Sequence, residues 1–233
     1  TSHPLLDLPN VTVTAHLGAN TKESQREISV QAANNAIESA RGISYPNALN
    51  LPIDESKIPH FVKPYIELTQ KMAFLLAQLS KSEIRSINIT AEGEISEYLD
   101  SLQTFATVGV LAVSCGDEVN YVNANFIAKE KGIDLTTSEF SNHSGYQNKV
   151  SINITTPTGV KTISGTVFNE DVQRIVEING FPLDIEPKGK MIIMRNHDVP
   201  GVIGEVGKIL GNNNINIADF RLSRGKDGAL AVI

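Results

Sequence analysis

The sequence predicts an α+β protein in three successive parts, and three observations carry that prediction. Residues 1–52 read as a strand followed by a helix, residues 53–187 as helices mixed with short alternating strands, and residues 188–233 as strand, helix, strand, strand. The 233 residues are 41% hydrophobic and 20% charged, the proportions of an ordinary globular protein rather than of a disordered or collagen-like chain. No window approaches the roughly 18 consecutive apolar residues that a membrane-spanning helix needs. The opening TSHPLLDLPN has neither the basic stretch nor the cleavage site of a leader, so a soluble cytoplasmic protein with no membrane partner is expected.

Taken in order, residues 11–14 (VTVT) alternate apolar and small polar side chains as a strand does, which places His16 at the C-terminal end of a strand, the edge where active sites of α/β proteins collect. Asn20 and Thr21 offer a side-chain oxygen to a helix start, with Glu23 three residues after Asn20. Ile28, Ala32, Ala33, Ala36, Ile37 and Ala40 then recur at helical spacing, and Gly42 is the expected end. Residues 44–52 (SYPNALNLP) hold two prolines and two asparagines and form an extended connector.

Pro64 opens a second helix whose apolar face is Ile66, Leu68, Met72, Leu75, Leu76 and Leu79. Residues 86–91 (SINITA) alternate as a strand, residues 98–113 return to helical spacing, residues 123–131 form a short helix stopped by Gly132, and residues 133–140 form a strand. Two hairpins follow: residues 150–156 and 160–168 flank Pro157-Thr158-Gly159, and residues 174–178 and 181–185 flank Asn179-Gly180, a strong two-residue turn signal. After the linker Pro187-Lys188-Gly189 come a strand over 190–195, a helix over 200–213 and strands over 215–222 and 228–233. The first strand has no earlier partner and the last no covering element, so the sequence reads as an internal piece of a longer enzyme.

The net charge of −6 is concentrated in residues 53–185, which hold 17 Asp+Glu against 10 Lys+Arg. With no basic patch and only 6% aromatics, a nucleic-acid partner is not expected. Cys115 is the single cysteine, which excludes an internal disulfide framework and a Cys-rich metal cluster. The five histidines, at 3, 16, 60, 143 and 197, form no HxH or HxxxH pair, so no metal site is expected.

Three stretches together resemble one family. HPLLDLPNVTVTAHLGANTKESQ (3–25) is similar to the end of the catalytic region of D-2-hydroxyacid dehydrogenases. VNANFIAKEKGI, HSGYQNKVSINITTPTGVKTISGTVF and IVEINGFPLDIEPKGKMI resemble the intervening domain of the long-form D-3-phosphoglycerate dehydrogenases. NHDVPGVIGEVGKILGNNNINIADF resembles an ACT domain, a ferredoxin-like βαββαβ amino-acid sensor that is incomplete here. The resemblance implies that residues 1–52 are a strand-helix remnant of an α/β dehydrogenase, 53–187 an intervening allosteric substrate-binding domain and 188–233 the ACT domain. Iron–sulfur serine dehydratases share the middle domain, but His16 and the single cysteine argue against that parent.

The same resemblance implies that His16 is the catalytic histidine exchanging a proton at the substrate hydroxyl, and that Leu17, Gly18 and Ala19 lie with it beside the nicotinamide of NAD. An imidazole near neutral pKa suits that proton transfer. No G-x-G-x-x-G is present, so NAD is the cofactor of the parent enzyme and is not expected to bind this fragment, which is predicted inactive alone. The implied effector is L-serine or a similar amino acid, held by Asn196, Asp198, Val199, Pro200, Gly201 and Asn216. An anion site in the middle domain is expected from Lys129, Lys131, Lys149 and Arg174. The implied substrate of the parent is 3-phosphoglycerate, the implied assembly a homo-oligomer, dimer or tetramer. The alternative is a non-enzymatic amino-acid-binding regulatory module, for which the last two parts suffice.

Overall fold

An alternating apolar strand is stable only with a neighbour on its edge and a cover on its face, and the chain meets those needs unevenly. The computed structural model describes residues 3–41, 58–139, 145–225 and 228–233. The predicted connector 44–52, the helix-ending Gly42 and the last residue of the predicted strand 133–140 lie outside the described residues. The chain divides into two compact units, Thr1–Leu51 and Pro52–Ile233.

In the first unit a 3-10 turn, Pro4–Asp7, precedes helix α1, Lys22–Ala40. Thr21 caps α1, its hydroxyl accepting from the Ser24 amide at 3.2 Å. No residue of α1 is buried, and Val13, Leu17, Ile28, Val30 and Ile37 are exposed. Residues 11–14, expected as a strand, pair with no segment among the described residues. Alternation supplies β-propensity, but the ladder hydrogen bonds must come from a neighbouring strand.

The second unit holds both sheets. Helix α2, Val62–Gln78, buries nine residues, including Val62, Leu68, Met72 and Leu76 with no exposed surface. Pro64 sits inside its first turn rather than at its first position, still where a missing N–H costs no bond. Strand β1, Ser86–Glu92, leads through helix α3, Leu99–Cys115, and helix α4, Ala124–Glu130, to strand β2, Asp134–Glu139, which pairs parallel to β1. Strands β3 (Lys149–Thr156), β4 (Gly159–Phe168), β5 (Val172–Ile178) and β6 (Phe181–Ile185) form an antiparallel meander. The sheet order is β2-β1-β3-β4-β5-β6.

The inner face, with Ile87, Ile89, Val150, Ile152, Ile154, Ile163 and Ile175, is fully buried with α2 and α3 in one core. The outer face is a row of small polar residues that bond across strands: Asn153 donates to Asn88 at 3.2 Å, Asn88 to Thr136 at 2.9 Å, and Ser151 meets Ser164 at 2.9 Å. Where the helices meet, a Cβ on Gly109 of α3 would lie 2.4 Å from the Gln70 carbonyl oxygen of α2, so only glycine permits this approach. The stretch Glu94–Glu118 is long and apolar enough to cross a membrane by composition, but 56% of its window is buried in the core, as befits a core helix.

Both predicted hairpins form. Asn179 and Gly180 have φ of 49° and 80°, the doubly left-handed turn that suits the twist of a two-residue hairpin. The chain also turns between β4 and β5 at Asn169 (φ 47°) and Glu170 (φ 70°), which the sequence reading left without a turn.

The C-terminal part is a smaller antiparallel sheet of order β7-β9-β8, made by Ile193–Asn196, Gly228–Val232 and Arg221–Gly225, with helix α5, Val202–Asn212, after β7. The last strand lies between the other two, as a ferredoxin-like arrangement requires. The strand expected over 215–222 starts only at Arg221, because the chain first closes the end of α5 through the Ile215 amide on the Leu210 carbonyl, with Asn214 left-handed at φ 56°. Leu230 and Val232 join the same core as the larger sheet. At the junction the Phe181 ring stands where a Cβ on Gly225 would come within 2.9 Å of it, with the Arg195 guanidinium 5.8 Å from its centre.

Candidate functional site

Strand β7 ends at Asn196, and the chain must turn before α5 can fold back. His197 to Gly201 make that turn, with the Val199 amide donating to the His197 carbonyl at 2.8 Å. Gly201, at φ 97°, takes the cap position of α5, and no side chain caps the helix. The first main-chain bond of the helix is Glu205 N–H to the Gly201 carbonyl, at 3.0 Å. The amides at its start therefore have no side-chain acceptor, and they carry the positive end of the helix dipole.

A cleft of about 320 Å³ opens at that end, lined by Asn196, Asp198, Val199, Pro200, Gly201, Val202, Ile203, Leu222 and Arg224. Five of the six predicted effector contacts thus converge. Asn216 does not line the cleft and is exposed. Asn196 donates through Nδ2 to the His197 carbonyl at 2.9 Å, while its Oδ1 is buried with no hydrogen-bond partner. Such an oxygen is a costly thing to leave unmet.

Sequence reasoning missed Arg224. Its Nε lies 2.7 Å from Asp198 Oδ2, so the carboxylate of the loop is held by a cation from β8. Register explains the meeting: Asn196 and Arg224 are both paired with Ala229, one from each side of the central strand. Only the strand order brings residues 28 apart in sequence into one row, and the sequence carried no signal for it beyond a basic residue near a strand end.

The other predicted sites are less assembled. His16 is exposed just ahead of the Gly18-Ala19 turn that precedes α1, with Leu17 exposed, Ala19 left-handed at φ 61°, and Gly18 close enough that an added Cβ would lie 3.6 Å from the imidazole Nε2. The four cations of the expected anion site lie on different elements. Lys129 and Lys131 are exposed on and just after α4, Lys149 starts β3 and pairs with the buried Glu92 at 3.4 Å, and Arg174 on β5 faces Asp184 at 3.5 Å and Glu186 at 3.9 Å. Lys188, 2.7 Å from Glu186, holds that carboxyl below the usual carboxylate range, mainly through its hydrogen bond and then through charge. Among the described residues no three His, Cys, Asp or Glu side chains group closely enough to hold a metal ion.

Fold and cleft define a class: an α+β protein in which a helix-covered mixed sheet shares its core with a small ferredoxin-like sheet, and the latter offers a cleft at a helix start. Residues 61–179 match the family described as the D-3-phosphoglycerate dehydrogenase intervening domain, and residues 190–233 match the ACT domain. The chain belongs to the D-3-phosphoglycerate dehydrogenase intervening-domain family, with an ACT domain behind it. It is similar to D-3-phosphoglycerate dehydrogenase of Bacillus subtilis (36% identity over 98% of this chain and 44% of that one). It is also similar to the proteins of that name from Synechocystis sp. (30%, 94% and 40%) and Archaeoglobus fulgidus (31%, 97% and 43%). The chain therefore spans about two fifths of the length of these relatives, whose name is that of an oxidoreductase.

Proposed function

We propose that the chain is the C-terminal, mainly regulatory part of an NAD-dependent D-3-phosphoglycerate dehydrogenase of the cytoplasm, acting at the first step of L-serine biosynthesis. The cleft at the start of α5 carries this reading, because it gathers Asn196, Asp198, Val199, Pro200 and Gly201 around uncapped amides. An amino-acid carboxylate would sit on those amides, where backbone donors and dipole favour negative charge. Asn196, whose Oδ1 is buried and has no hydrogen-bond partner, lines the same cleft. Asn216, exposed and outside its own chain's cleft, would reach the effector from a second copy, which makes a homo-oligomer, dimer or tetramer, the working form.

In the parent enzyme His16 would exchange the proton at the substrate oxygen of 3-phosphoglycerate. The residues present do not fit a dinucleotide by themselves: the chain offers the turn His16 to Ala19 and no G-x-G-x-x-G to cradle phosphates. Alone it should be inactive and should not bind NAD measurably. In the full-length enzyme, His16→Asn should lower turnover by about 10²- to 10⁴-fold. The regulatory claim is tested by serine inhibition of the full-length enzyme. Asn216→Ala should weaken it about 5- to 150-fold, the loss of one acceptor to a charged group. Equal inhibition constants would remove Asn216 from the site, and no inhibition of the wild type at millimolar serine would leave the ACT domain without an effector.

A further inference from the structure

We propose that Arg224 is a specificity-determining residue of the ACT cleft, and that its pair with Asp198 restricts the cleft to ligands carrying both an ammonium and a carboxylate. The proposal rests on the effector reading of the cleft and deepens it.

Asp198 and Arg224 are the charged side chains among those that line the cleft, one on the loop and one on β8. Arg224 contacts Asp198 through Nε alone, which leaves the two terminal amino groups of the guanidinium for a carboxylate. Their side chains are 68% and 41% exposed. A pair so open to solvent is weak and can be exchanged for other partners at little cost. A zwitterion makes that exchange without leaving a charge over: its carboxylate takes Arg224, supported by the amides of α5, and its ammonium takes Asp198.

A ligand with only one of the two groups cannot do this. A hydroxy acid would draw off Arg224 and leave Asp198 facing a neutral hydroxyl, while an amine without a carboxylate would draw off Asp198 and leave Arg224 unmet. The ion pair thus discriminates against half-matching ligands by the partner they strand. With Arg224 paired to it, the negative charge of Asp198 does not repel the ligand's carboxylate.

Calorimetry on the 233-residue chain with L-serine, D-glycerate and L-serinamide tests it, with Arg224→Gln, Arg224→Lys and Asp198→Asn as variants. The expected result is L-serine bound at least ~10-fold more tightly than either half-ligand. Arg224→Gln should lose at least ~10-fold in serine affinity and most of the preference over L-serinamide, and Arg224→Lys should recover part of both. Both side chains are exposed, so melting temperatures should be unchanged and a folding defect will not mimic the effect. Serine affinity in Arg224→Gln within twofold of the wild type overturns the proposal while leaving the effector reading intact. Tighter binding in that variant overturns it too, by making the pair a plug rather than a receptor. No binding of any of the three by the wild type overturns both.

Discussion

Helices α1 and α2 have similar lengths, 19 and 17 residues, and both repeat apolar side chains at helical spacing, yet α2 buries nine residues and α1 none. In α2 the spacing is answered by the inner face of the six-stranded sheet and by α3. In α1 Ile28, Val30 and Ile37 stay exposed. Periodicity states which residues share a face; only the neighbouring elements decide whether that face does any stabilising. The contrast extends to the two candidate sites: His16 stands exposed ahead of α1, whereas the ACT cleft adjoins a sheet whose central strand β9 joins the main core.

The largest effect that can break this contrast comes from truncating one apolar side chain in each helix. Leu68→Ala should cost about 2–5 kcal/mol in chemical denaturation, whereas Ile28→Ala should fall within about 0.5 kcal/mol of the wild type. Comparable losses would mean that α1 has a core of its own. Next come two glycines. Gly109→Ala should cost about 1–3 kcal/mol despite its better helix propensity, since the new methyl meets the Gln70 backbone at 2.4 Å. Gly18→Ala, whose Cβ meets nothing closer than 3.6 Å, should be nearly silent in the same melt.

The smallest effect concerns the linker between the two sheets. The folded-state pKa of Glu186 is lowered by Lys188, so the pairing is intact above the usual glutamate range and is lost as pH falls through the lowered value. Lys188→Ala should move the Glu186 midpoint upward in an NMR titration, with little change in global stability because the group is exposed. An unmoved midpoint would reassign the shift to Arg174 and Lys71.

How much of this was legible in the sequence follows the same division. Elements whose signals are local were readable: the Asn179-Gly180 hairpin, the helix stopped by Gly132, and the alternation of β1 all appear as predicted. The turn at Asn169-Glu170 was missed because a left-handed glutamate has no signature of its own. The loop that lines the cleft was legible because Asn196 to Gly201 are contiguous. Arg224 was not, since its place opposite Asp198 depends on the order β7-β9-β8 and on two registers meeting at Ala229. The expected strand over 11–14 did not form because propensity is a property of residues, whereas pairing is a property of neighbours.

Amide hydrogen exchange on the 233-residue chain, with and without saturating L-serine, tests the whole account in one experiment. Amides of α2, α3 and β1 should exchange only by near-global opening, and those of α1 close to their unprotected rates. Serine should slow the amides at the start of α5, from Val202 to Glu205, and leave α1 unchanged. Protection of α1 equal to that of α2, or no serine-dependent change at the start of α5, would contradict it.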